Sequence, residues 1–133
     1  MNISASIKNS YQANKVSVVT NGNVKEIQIP GKTEGYGSSV NGGELLFLSL
    51  ATCFCNDVYR EAARKKITIE SVEVTVAGEF GKEGEPAATI TYEVKVQSTS
   101  HSSQEITTLI QEVDQVAEVH NTLRKGVRVT LIE

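Results

Sequence analysis

Glu44, Cys53 and Cys55 fall in one short run, residues 41–66, NGGELLFLSLATCFCNDVYREAARKK, which holds both cysteines of the chain. A cysteine does chemistry as its thiolate, which attacks peroxide oxygen or disulfide sulfur, and neighbouring charges decide how much thiolate exists near neutral pH. Cys53 is therefore read as a nucleophile, set against the plainer role of a small buried hydrophobe. Residues two apart on a helix point about 200° away from each other, whereas a disulfide needs converging Cβ atoms. Cys55 is expected to pack in the core rather than bridge to Cys53. Glu44 precedes Cys53 by nine residues, which on one helix is about 13 Å of rise and close to half a turn of offset. Acting on a thiol, it would act on Cys53 of a second subunit. As a first-turn acid it also suits the helix dipole.

The remaining titratable residues point to less chemistry. A structural zinc centre takes about four ligands, and beyond the two thiols only His101 and His120 supply nitrogen, so no metal and no other cofactor is expected. His120 follows an apolar helical stripe and is read as a residue beside a helix C-terminus, interacting with the last carbonyls. His101, in STSHSS, reads as a loop residue ahead of a helix cap. Tyr36, in a Gly-rich loop, suits either a pocket wall or the surface.

These residues must be positioned by a chain of 133 residues, 39% of them hydrophobic, a size that fits one globular domain over 1–133. Thirteen basic and sixteen acidic residues give a net charge of -3 without blocks, which lacks the basic footprint of a nucleic-acid binder. The start, MNISASIKNSYQ, has no basic segment followed by an apolar one, and no apolar run reaches membrane-spanning length. A cytoplasmic protein with reduced thiols is expected.

Short alternation over 2–9, 14–20 and 23–29 predicts three strands, with Asn21-Gly22 as a tight primed turn between the second and third. GKTEGYGSSVNGG, from Gly31 to Gly43, predicts an irregular, mobile loop. Residues 43–66 lack internal Gly or Pro and predict a helix. Its first half is apolar all round, from Leu45 to Phe54, while Asp57, Arg60, Glu61, Arg64, Lys65 and Lys66 give its second half a wet side. One small sheet covers only one face of such a helix, so the other is expected to meet a second copy of the chain. A second hairpin follows over 68–80 and 87–97, with Ile90, Tyr92, Val94 and Val96 inward. Ser102-x-x-Glu105 then opens an amphipathic helix that Gly126 ends, and Val127, Val129 and Leu131 form a closing strand. The result is an α+β fold, βββ-α-ββ-α-β.

An Asn41-x-x-Glu44-Leu45 run leading to Cys53 after small residues, with His120-Asn-Thr-Leu-Arg-Lys-Gly126 before VRVTLIE, resembles the OsmC/Ohr superfamily of osmotically induced and organic hydroperoxide resistance proteins. The resemblance implies an intertwined homodimer whose antiparallel sheets wrap around central Cys-bearing helices. It also implies a reactive Cys that attacks peroxide, a second Cys that resolves the sulfenic acid, and an Arg and a Glu that activate the first thiol. Cys53 and Glu44 match two of these four. Ala117-Glu118 stands where a Cys-Pro pair is expected, and no Arg precedes Arg60, leaving Lys8, Lys15, Lys25 and Lys32 ahead of the helix. Two functions follow as expectations. One is thiol-dependent reduction of organic hydroperoxides by Cys53, with Glu44 as polar partner and an external low-molecular-weight or protein thiol as reductant. The other is a non-catalytic homodimer that binds a small apolar ligand.

Overall fold

The computed structural model describes residues 1–133, which divide into two compact units, Met1–Leu45 and Leu46–Glu133. The first carries an antiparallel meander of β1 (Ile3–Ser10), β2 (Ala13–Thr20) and β3 (Asn23–Glu26), in that spatial order. Asn21 and Gly22 take φ of 48° and 84°, the left-handed pair that a tight primed turn demands. The Gly-rich loop is irregular, as its composition predicts, but it is pinned. Asn14 donates its amide to the Ile29 carbonyl at 3.1 Å and to Ser38 Oγ at 2.8 Å, and the Gly37 N–H bonds Asn9 Oδ1 at 2.9 Å. Gly31 has no room for a side chain, since a Cβ would lie 2.7 Å from the Gln12 backbone. Ile3 and Ile7 remain exposed on β1.

Helix α1 (Gly42–Arg64) leads into the second unit, which continues with β4 (Ser71–Phe80), β5 (Ala87–Gln97), α2 (Ser103–Val116) and α3 (Glu118–Lys125). β4 and β5 form a two-stranded antiparallel sheet whose register sets Val74 against Val94 and Val76 against Tyr92. The core is built where two helical stripes meet the inward residues of this hairpin. Phe54, Val58 and Ala62 of α1 and Leu109, Val113 and Ala117 of the α2 segment are fully buried, with Val72, Val74, Tyr92, Val94 and Val96 packed against them. α2 opens with the expected capping box, Ser102 and Glu105 bonding each other's backbone N–H.

The fold is α+β with antiparallel sheets, as the sequence predicts, and several details differ. The second helix breaks at Ala117, whose φ of -66° and ψ of 106° are extended, giving α2 and α3 in place of one rod. Gly126, at φ 62°, ends α3. Residues 127–133 pair with no strand of the chain, and Val129 is 97% exposed. The first half of α1 is not deeply buried either. Leu50 and Phe54 turn inward, whereas Leu45 and Leu48 face solvent, because only one side of the helix has a neighbour. Ile90, expected inward, is exposed near the turn end of β5.

Candidate functional site

Cys53 lies half-buried at mid-length of α1, beside the core residue Phe54. Helical spacing places Asp57 one turn further on the same face, and Cys53 Sγ donates to Asp57 Oδ2 at 3.8 Å. Asp57 was grouped by sequence with the wet side of the helix. It is instead only 4% exposed, because α3 closes over that face. Its other oxygen meets Arg60, with Nη1 3.0 Å from Oδ1, and the same guanidinium reaches Glu118 at 3.8 Å and Glu61 at 3.1 Å. Asp57, Arg60 and Glu118 are thus the residues that sequence reasoning missed. The signal was present in the spacing, since 53, 57 and 60 share one helical face. Only the break at Ala117 brings Glu118 to them.

The electrostatics of this cluster hold the thiol protonated. Burial pushes the Cys53 pKa up, and the charges of Asp57 and Glu118 push it further, while a hydrogen bond from the Val119 backbone N–H pulls the other way. Asp57 is raised as well, first by burial and then by Glu118, with Arg60 opposing. The ligand atoms of Cys53, Asp57 and Glu118 lie within 4.8 Å of one another, a spacing that a cation could use. The Arg60 guanidinium lies against both carboxylates, 3.0 Å from Asp57 and 3.8 Å from Glu118, and its positive charge opposes a cation there.

Glu44 is engaged in the first turn of α1. Its Oε1 accepts the Asn41 N–H at 2.9 Å while its own N–H bonds Asn41 Oδ1 at 2.8 Å, a reciprocal cap with Asn in the leading position. Cys55 faces away from Cys53, beside Ala51, Asn56 and Val74. His120 does not stand beside a helix C-terminus. The break at Ala117 makes it an early residue of α3, 4% exposed, with its ring between Phe54 and Tyr92. His101 precedes the α2 cap and bonds Glu105 at 3.1 Å. Tyr36 is exposed, edge-on to Tyr11.

The sequence profile of the OsmC-like protein family matches residues 35–132, a span that holds Glu44, Cys53 and the 120–126 segment. The chain belongs to this family. Solved structures agree in fold. The OsmC-like protein of Mycoplasma pneumoniae superposes with a TM-score of 0.64 at 21% identity, over 99% of this chain and 96% of that one. An organic hydroperoxide resistance protein OsmC of Legionella pneumophila gives 0.60 at 21% identity, over 98% and 95%. The organic hydroperoxide resistance protein OhrB of Bacillus subtilis gives 0.56 at 16% identity, over 98% and 96%. Among curated protein sequences none matches. The surroundings of Cys53 differ from those the resemblance implied. The arginine that meets Asp57, Arg60, comes from the same helix as Cys53, and an acid, Glu118, stands in the segment where the resemblance implied a resolving cysteine. No helix is long and apolar enough to cross a membrane.

Proposed function

We propose that this OsmC-like protein reduces organic hydroperoxides with Cys53 as nucleophile and Asp57 as the group that holds the proton. The observation carrying this reading is the line from Cys53 Sγ to the buried, Arg60-clamped carboxylate of Asp57. The sulfur attacks the terminal peroxide oxygen and the O–O bond breaks. The thiol proton passes to Asp57 and from it to the departing alkoxide, so that thiol and hydroperoxide become sulfenic acid and alcohol. An external thiol then condenses with the sulfenic acid, releasing water, and a second thiol frees Cys53 as a disulfide leaves. Cys55 points the wrong way to resolve it. A reducing cytoplasm suits this cycle and both free thiols.

The working unit in this proposal is a homodimer, supported by the exposed apolar stripe of Leu45, Leu48 and Tyr59 on α1 and by the unpaired 127–133 segment. Glu44, one of whose carboxylate oxygens stays outside its cap, would then serve the partner's thiol. One observation favours a second reading, a non-catalytic dimer that binds a small apolar ligand: the neighbours of Cys53 oppose ionisation. Intact mass after addition of an alkyl hydroperoxide, with a sulfenic-acid trap, separates the two. Stoichiometric trapping at Cys53, absent in C53S and retained in C55S, is expected. A thiol unchanged over the hour in which free cysteine oxidises would leave the binding reading.

A further inference from the structure

Asp57 and Glu118 are two carboxylates held against one cation. Arg60 Nη1 lies 3.0 Å from Asp57 Oδ1 and 3.8 Å from Glu118 Oε1, and one oxygen of each acid lies within 4.8 Å of the other and of Cys53 Sγ. That separation is within reach of proton transfer, directly or through a single water. The two acids differ in access. Asp57 is buried, whereas the side chain of Glu118 is 65% exposed. The dipole of α3 accounts for an acid in its first turn. It does not account for one set beside a buried carboxylate.

Two like charges this close favour a proton on one of them, and the pair then titrates as a single system. The charged groups facing Asp57 are Cys53 and Arg60 of its own helix and Glu118 of α3. Burial holds Asp57 above the ordinary carboxylate range, and the charge of Glu118 and a hydrogen bond between the two acids add to this against Arg60. The peroxide chemistry proposed for Cys53, on which the present inference rests, leaves one proton to be supplied. In its first half the thiol proton departs with the alcohol, so Asp57 ends that half without one. In its second half an external thiol gives its proton to solvent, its sulfur bonds Cys53 Sγ, and the S–O bond breaks. The departing hydroxide needs a proton to leave as water. Asp57 lies against the sulfur but is closed off from solvent.

We infer that Glu118 is the proton inlet of this site: it takes a proton from solvent and passes it to Asp57, which delivers it to the hydroxide leaving Cys53. The proton that the external thiol lost is thereby returned through α3. Glu118 acts through Asp57, and Arg60 keeps the two acids side by side.

The test has two parts, both on the full chain. Carbon-detected NMR of the carboxyl groups across pH, with no peroxide present, reads the pair. Asp57 and Glu118 are expected to titrate together, and E118Q should bring Asp57 back toward the ordinary carboxylate range. An Asp57 titration indifferent to E118Q overturns the pair and the inlet with it. The second part is single-turnover reduction of the Cys53 sulfenic acid by 2-mercaptoethanol at pH 6, sampled over time with a sulfenic-acid trap and intact mass. E118Q should slow this step by about ten- to a hundredfold, at or below what a positioned acid supplies. Added acetate buffer, at constant pH and ionic strength, should restore the rate in proportion to its concentration, a rescue that a merely loosened α3 would not show. Alkylation of Cys53 by iodoacetamide should be no slower in E118Q, because a charge that opposes the thiolate has been removed. Reduction at full rate in E118Q, or a slow rate that acetate does not lift, overturns the inlet while the peroxide reading stands. A parent protein that forms no sulfenic acid overturns the peroxide reading and the inlet together.

Discussion

At Cys53 the electron pair and the proton answer to the same neighbour. Asp57 takes the thiol's hydrogen bond, and its charge and that of Glu118 add to burial in holding the sulfur protonated. Because the folded-state pKa is raised, the thiolate fraction is smallest at and below neutral pH and grows as pH climbs toward and past the ordinary thiol value. Alkylation of Cys53 by iodoacetamide should therefore be slow at pH 7 and accelerate through pH 9. D57N removes one of the charges responsible. It should speed alkylation at pH 7 by about three- to tenfold, since one pKa unit is tenfold in thiolate. Iodide leaves without a proton and alkoxide does not, so the same variant should slow hydroperoxide reduction even as it speeds alkylation. Parallel stopped-flow measurements of the two reactions check this, and a rise in both rates would remove Asp57 from the proton path. Only part of this site was legible in the sequence. Cys53 stands out by type and by its small neighbours, but Asp57 and Arg60 look like any solvated helix face until α3 is seen to cover it. His120 was misplaced for the same reason, since a helix drawn unbroken to Gly126 sets it near the C-terminal carbonyls, whereas the break at Ala117 puts it in the first turn of α3.

The elements themselves were readable where a local rule had one outcome. Asn21-Gly22 admits a primed turn and little else, and Ser102 with Glu105 fixes the start of α2. The break at Ala117 had no such marker, because neither Gly nor Pro announces it and the apolar stripe runs through it. The end of α1 was equally unmarked. Lys66 adopts φ of 58°, its N–H bonding the Ala63 carbonyl at 3.2 Å while the Ile67 N–H reaches Ala62 at 2.8 Å, a left-handed cap of the kind glycine usually fills. A side chain in that region costs roughly 1 kcal/mol or more, partly offset by glycine's greater freedom in the unfolded chain. K66G should therefore stabilise the protein by about 0.5 kcal/mol. Urea unfolding at fixed protein concentration measures the difference, and a loss of stability would mean that Lys66 makes an interaction outweighing its backbone cost.

For the whole molecule the decisive surface is the one the chain leaves uncovered. Leu48 is 60% exposed on a helix whose opposite side forms the core, and a second copy is the expected cover. Sedimentation should give twice 14.4 kDa. L48E would bury an unpaired charge in that contact and should weaken self-association by about a hundredfold or more. A parent protein that stays monomeric and folded at micromolar concentration would remove both the dimer and any role of Glu44 toward a partner's thiol.

The unpaired segment 127–133 carries one more consequence. Its amides have no acceptor within the chain, so in a lone protomer they should trade hydrogen for deuterium as fast as those of an unstructured peptide, while pairing with a second copy would protect them. Deuterium uptake by those few residues would then keep time for protomer exchange: the rate at which the segment labels at low concentration would read how often two copies part.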